Sequence, residues 1–292
     1  MKTIGVLTSS SSVSRPVLTE GMEYWKKQGY AVKEAPHLYE KKRFIAGSDE
    51  ERSEDLHAFF ADDQIDLIIE AGGGNGSSRL LRGLDYDLIA RHKKPLIGLS
   101  DTTALQLALL AKANLISFTG YLMKPRFGRA IVPYTEQSLQ ECLAGQDQVV
   151  SGLETDYQGK AIAGRLIGGC LTLVANLLGT PYFPDPTGSI LILEDVGEEP
   201  YAVDRMLVQL ENAGVFERVA AVVFGVFRDC KAKDPADGTI DDVFNEWKKR
   251  LKTPVFSGLP YGHQAGSLVW PIGGTGILEA DRLTVQGVKF DG

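Results

Sequence analysis

Residues 95–105 read Pro-Leu-Ile-Gly-Leu-Ser-Asp-Thr-Thr-Ala-Leu, an apolar run that ends at Gly98 and gives way at once to a helical pattern. Ser100 is therefore expected on a sharp strand-to-helix turn, just before a helix over residues 102–113. The order is that of a nucleophile elbow, G-x-S-x-G, with Thr102 in the last place. Such a turn projects the serine hydroxyl outward and aims the next backbone N–H, that of Asp101, at a developing oxyanion. The same residues also suit a plain helix cap, the ordinary use of Ser, Asp and Thr at this position.

Working outward, strands and helices alternate through the first half. Thr3–Leu7 is a short apolar strand, a helix is expected over Arg15–Gln28, and Ser48 with Glu51 has the spacing of a capping box. Residues 65–70 (IDLIIE) read as a buried strand running into Gly72-Gly73-Gly74-Asn75-Gly76-Ser77-Ser78. This alternation implies a parallel sheet covered on both faces. Residues 124–158 read as a connection with one helix, Glu136–Ala144. A second unit starts near Lys160: a strand, a glycine turn at Gly168-Gly169, and a helix over 171–178. The strand Ser189–Glu194 follows, and further strands and helices continue to the closing strands at 276–278 and 282–288. The expected class is α/β, with a first domain over 1–145 and a second over 156–292.

The 292 residues carry a formal charge of −7, which argues against a general nucleic-acid binder. Cys142, Cys170 and Cys230 form no CxxC and no zinc framework, so a reducing, cytoplasmic setting is expected. The longest apolar run, 220–227, is far shorter than the ~18 residues of a membrane span. No metal or cofactor is expected.

Candidate chemistry lies in three further places. The glycine cluster at 72–76 lies between a strand and a helix, where free N–H groups can hold an anion. It matches neither a dinucleotide fingerprint nor a Walker A sequence, and a tight structural turn or an oxyanion-hole contribution suits it equally. Glu194-Asp195-Val196-Gly197-Glu198-Glu199 puts acids at the C-terminal end of a strand, where α/β proteins place active-site groups. A divalent cation or plain solvation also suits them. Four histidines are present. His57 reads as a surface or boundary residue, His92 as a helix-end residue, and His37 as a loop residue without a chemical neighbour. His263 sits in a glycine-bounded loop directly after an expected strand, and is the best candidate for a general base. Ser100, Glu194 and His263 then fall in the order nucleophile, acid, base.

At this level the sequence resembles a known family. Residues 73–81 (GGNGSSRLL) with 84–87 (LDYD) are similar to GGYGSxRLL…LDYD, and 98–105 to G-[FY]-S-D-x-T-A-L. Residues 168–171 (GGCL), 178–182 (LGTPY), 193–198 (LEDVGE), 204–207 (DRML) and the Gly262-His263 loop match as well. These motifs belong to the LD-carboxypeptidase serine peptidases, which include the microcin C self-immunity hydrolases. The resemblance implies a Ser100–Glu194–His263 triad divided between a Rossmann-like N-terminal domain and a swivelling, barrel-like β/α C-terminal domain. It implies an oxyanion hole from the backbone of Gly74 and Asp101, with Asn75 and Tyr121 at the substrate. The implied reaction releases terminal D-alanine from a peptidoglycan tetrapeptide, in the cytoplasm, by a metal-free homodimer. Two other readings are hydrolysis of a peptidyl or aminoacyl nucleotide and non-catalytic binding of an anion. The chain departs from the family at Gly72, where an arginine is common, at Asn75 for tyrosine, and at Thr119-Gly120-Tyr121 for His-Gly-Pro. The basic residues Lys124, Arg126 and Arg129 offer contacts to substrate carboxylates, or simply a solvated connector.

Overall fold

The computed structural model describes residues 1–125 and 130–289. The first half runs β1 (Thr3–Leu7), α1 (Arg15–Lys27), β2 (Ala31–Glu34), α2 (Asp49–Ala61), β3 (Leu67–Glu70), α3 (Tyr86–Arg91), β4 (Leu96–Gly98), α4 (Thr102–Ala113) and β5 (Ser117–Thr119). The chain then passes through α5 (Pro133–Leu143) and β6 (Gln148–Ser151) into β7 (Ile162–Cys170), α6 (Leu171–Leu177) and β8 (Ile190–Val196). It closes with α7 (Pro200–Asn212), β9 (Ala221–Arg228), α8 (Ile240–Arg250), β10 (Val255–Phe256), β11 (Trp270–Ile272), β12 (Thr275–Glu279) and β13 (Arg282–Val285).

Two sheets result, and the α/β class holds. The first has the order β11-β5-β4-β3-β1-β2. Its strands are parallel except β11, which runs antiparallel to β5 with Trp270 opposite Thr119. The second has the order β10-β9-β8-β7-β12-β13-β6. There β7 to β10 are parallel, and β12, β13 and β6 are antiparallel. The strands that enter a fully buried parallel core are the continuous apolar runs, such as Leu67–Ile69 and Ile190–Leu193.

Helix α4 lies between the sheets. Every residue from Thr102 to Leu110 is buried, and the helix packs on β4 and β5 on one side and on β7 and α6 on the other. A helix apolar all round needs burial all round. Both sheets therefore fix the helix that carries Ser100 at its head.

Two readings of the sequence are corrected. Gly168 and Gly169 form no turn; both lie inside β7. Their φ values of +124° and +132° suit glycine alone, and a Cβ at Gly168 would stand 1.9 Å from the Ile192 carbonyl oxygen. These glycines serve close packing of strand on strand and of β7 on α4. The stretch read as a connection contains strand β6 as well as a helix, and β5 and β11 were not expected as strands. Each of the latter has 3 residues, too short for a period to show. β11 also contains Pro271, tolerated because the strand lies at a sheet edge. The capping box is as expected: Ser48 Oγ accepts from the Glu51 N–H at 3.1 Å, and Glu51 Oε2 accepts from the Ser48 N–H at 2.6 Å.

Candidate active site

Ser100 has φ +69°, a left-handed conformation that a serine adopts only under constraint. The constraint is local. A Cβ on Gly98 would stand 2.4 Å from Thr102 Cγ2, so the turn closes only with glycine there. Asp101 completes it from below. Its buried Oδ2 accepts from Ser10 Oγ at 2.6 Å and from the Ser77 N–H at 2.8 Å, and its carbonyl accepts from Ser77 Oγ. One carboxylate thus joins the β1–α1 loop, the glycine loop and the elbow. Buried Arg52 braces the same loops by donating to the carbonyls of Gly76 and Ser9.

From the other sheet, β8 presents Glu194, fully buried, and the loop between β10 and β11 presents His263. His263 Nδ1 lies 2.7 Å from Glu194 Oε2, and the His263 backbone N–H donates to the same oxygen at 3.2 Å. His263 Nε2 lies 2.9 Å from Ser100 Oγ. The three side chains predicted from sequence therefore form one continuous chain of hydrogen bonds between the sheets. Gly262 makes room for it: with φ +127°, a Cβ there would stand 2.7 Å from Glu194 Oε2. The loop is anchored by the Tyr261 carbonyl, which accepts from Val226 N–H at 2.8 Å, and by Tyr261 OH, 2.9 Å from Thr119 Oγ1.

The glycine loop faces Ser100. A Cβ on Gly73 would stand 2.9 Å from Ser100 Cβ and 3.1 Å from its Oγ. Gly74 has φ +117°, and Asn75, exposed at the rim, donates its N–H to Ser11 Oγ at 3.1 Å. Among the described residues, the N–H groups of Gly74 and Asp101 are bonded to no protein acceptor. Tyr121 is packed in the core rather than exposed. It is 3% exposed, and its hydroxyl accepts from Trp25 Nε1 at 3.2 Å. Lys124 is exposed, whereas Arg126 and Arg129 lie outside the described residues.

Of the remaining candidates, two of the other acids in this segment are occupied. Asp195 Oδ2 accepts from the Thr172 N–H and hydroxyl, each at 2.9 Å, and Glu199 pairs with Lys233 at 2.7 Å. Among the described residues, no three His, Cys, Asp or Glu side chains converge where they could hold a metal ion. His37 is corrected: it does have a neighbour, with Nδ1 2.9 Å from Asp55 Oδ1, and that contact raises its pKa. His57 Nε2 accepts from the Asp85 N–H, and His92 ends α3. Burial pushes the Cys170 thiol well above its ordinary pKa, which disqualifies it as a competing nucleophile.

Sequence reasoning missed the residues that hold the triad rather than form it. Thr103 Oγ1 accepts from the Cys170 N–H at 3.1 Å and ties the elbow helix to β7, beside Glu194 in register. Thr119 and Tyr261 do the same from the first sheet to the His263 loop. Isolated threonines carry no spacing signal. Gly169, whose Cβ would stand 2.6 Å from Thr103 Oγ1, was the available hint.

Comparison with known proteins shows the family of the chain. Residues 4–120 match the model of the LD-carboxypeptidase N-terminal domain, and residues 163–278 that of the LD-carboxypeptidase C-terminal domain. The chain is 32% identical to the "Probable murein peptide carboxypeptidase" of Bacillus subtilis, over 97% of this chain and 90% of that protein. It is 31% identical to the murein tetrapeptide carboxypeptidase of Pseudomonas aeruginosa, over 96% and 94% of the two chains. The crystal structure of muramoyltetrapeptide carboxypeptidase from Oxalobacter formigenes superimposes with a TM-score of 0.90 at 29% identity, covering 99% of both chains.

Proposed function

The chain belongs to the LD-carboxypeptidase family and is a serine-type carboxypeptidase, and from that premise we propose that it cleaves the terminal L,D-peptide bond of peptidoglycan-derived tetrapeptides through Ser100, His263 and Glu194. The observation that carries this reading is the unbroken hydrogen-bond chain from Ser100 Oγ through the imidazole to the buried Glu194 carboxylate.

Ser100 Oγ attacks the scissile carbonyl while His263 Nε2 takes the hydroxyl proton. Glu194 holds the Nδ1–H, fixing the tautomer and stabilising the imidazolium as it forms. The oxyanion is received by the backbone N–H groups of Asp101 and Gly74, each donor worth ~3 kcal/mol of transition-state stabilisation in a comparable protease. The imidazolium then gives its proton to the leaving amine of the terminal D-alanine. Water, activated by the same imidazole, attacks the acyl-enzyme and frees the shortened peptide and Ser100. The positive φ of Ser100 and the prior fixing of Asp101 place these groups before substrate arrives, so little of the binding energy goes to reorganisation. Three buried, unpaired cysteines suit a reducing cytoplasm.

The test is D-alanine release from a murein tetrapeptide, run beside hydrolysis of an aminoacyl sulfamoyl adenosine. The tetrapeptide is expected to be the better substrate. Ser100→Ala and Glu194→Gln should each lower turnover by about 10⁴-fold or more. Release that persists unchanged in Ser100→Ala would sink the nucleophile assignment, and preference for the nucleotide analogue would move the substrate to the second class.

A further inference from the structure

Beside the glycine loop lies an open hollow of about 650 Å³ lined by Ser12, Ser14, Arg15, Tyr39, Lys41 and Lys124, among others. Its charge is of one sign. Arg15 pairs with Glu34 at 2.8 Å and lies 4.4 Å above the Tyr39 ring. Lys41 and Lys124 are exposed and, among the described residues, pair with no carboxylate. Two unpaired ammonium groups thus stand at one concavity on a chain whose net charge is −7, where they favour an anion locally. The N-terminus of α1 adds to it, since Ser14 makes no side-chain cap and no acid occupies the first turn.

One loop links the hollow to the reacting centre. A Cβ on Gly72 would stand 3.2 Å from Val13 Cγ1 and 4.0 Å from Lys124 Cδ, at the rim of the hollow, whereas one on Gly73 would meet Ser100. Neighbouring residues of one loop thus touch the two places. An extended ligand advances roughly 3.3–3.6 Å per residue, so one lying along this loop reaches the hollow within one to three residues of the attacked carbonyl. A side chain at position 72 would instead crowd Val13 at the rim of the hollow.

We propose that this hollow is the anion subsite of the same site, in which Lys124 and Lys41 receive a carboxylate or phosphate carried by the substrate. The inference rests on the assignment of Ser100 only for the position of the reacting bond. It places an acidic group on the substrate without deciding whether that group is a peptide carboxylate or a nucleotide phosphate.

The experiment uses the full chain in the Ser100→Ala background. By calorimetry it is titrated with a murein tetrapeptide, with the same peptide whose side-chain carboxylates are amidated, and with adenosine monophosphate. The acidic probe that fits should bind, and Lys124→Ala should weaken it about tenfold, with a further loss on adding Lys41→Ala, while Lys124→Arg retains binding. The amidated peptide should bind more weakly and be indifferent to either substitution. A lysine-sensitive response to the tetrapeptide identifies a carboxylate, and one to the nucleotide identifies a phosphate. Binding of neither acidic probe, or affinities unmoved by both lysine substitutions, overturns the proposal. The kinetic arm separates the two readings. If the Ser100-intact enzyme releases no D-alanine while binding remains lysine-sensitive, the peptidase reading fails and the subsite stands. D-Alanine release with a wild-type KM in Lys124→Ala/Lys41→Ala sinks the subsite alone.

Discussion

Glu70 shows at the scale of one residue how the ground beneath the site is built. It ends β3, is fully buried, and accepts from the Ser9 N–H at 3.0 Å through one oxygen, while the other has no partner among the described residues. Burial raises its pKa to about 7, partly offset by the hydrogen bonds from Ser9 and reinforced by the negative Asp101 nearby. In the unfolded chain the same group titrates near 4.3. Folding therefore retains a proton that the unfolded chain releases. The stability this brings is complete below about pH 4.3 and is lost as pH rises through 7. Glu70→Gln removes the ionisable group but keeps its shape. The substitution should raise Tm at pH 8 relative to wild type by clearly more than at pH 5, read from paired thermal melts. An equal shift at the two pH values would show that Glu70 is not neutralised by burial. In the sequence, Glu70 reads only as the last letter of a strand. Its burial comes from the Ser9 loop folding over it, a contact at a separation of 61 residues that no local pattern encodes.

Among elements, the elbow and its helix were legible because their signals are local: an apolar strand, Gly98, Ser100, then a helical run. What holds α4 across to β7 was not. Thr103 Oγ1 takes up the buried Cys170 N–H at 3.1 Å. Thr103→Val preserves the shape and orphans that N–H, at an expected cost of about 1–3 kcal/mol. Urea unfolding should show a lower midpoint with an unchanged m-value; an unmoved midpoint would mean the contact carries no weight. The misread glycines at 168 and 169 teach the same lesson. A pair of glycines reads as a turn until a neighbouring strand and helix are close enough that any Cβ collides with them, and such proximity is a property of the packed fold. Ser100 and His263 were visible for the opposite reason, each being flagged by a glycine that its own turn requires, Gly98 and Gly262, while Glu194 was flagged by its place at the end of an apolar strand.

For the molecule as a whole, the two sheets do not partition the chain cleanly. β11, at residues 270–272, pairs with β5 and covers an edge of the first sheet. A fragment comprising residues 1–145 would therefore leave β5 with unpaired backbone groups along that edge, a template for association. Such a fragment is expected to self-associate, as light scattering against the full chain would show; a stable, monodisperse monomer would refute the dependence. The same strand sets an order in time. During synthesis the elbow and the glycine loop emerge early, but the sheet that supports them stays open until residues 270–272 arrive, shortly after the His263 loop. Closure of the first sheet and delivery of His263 are thus nearly one event on the ribosome. A partly made chain can hold a serine elbow but not a working hydrolase.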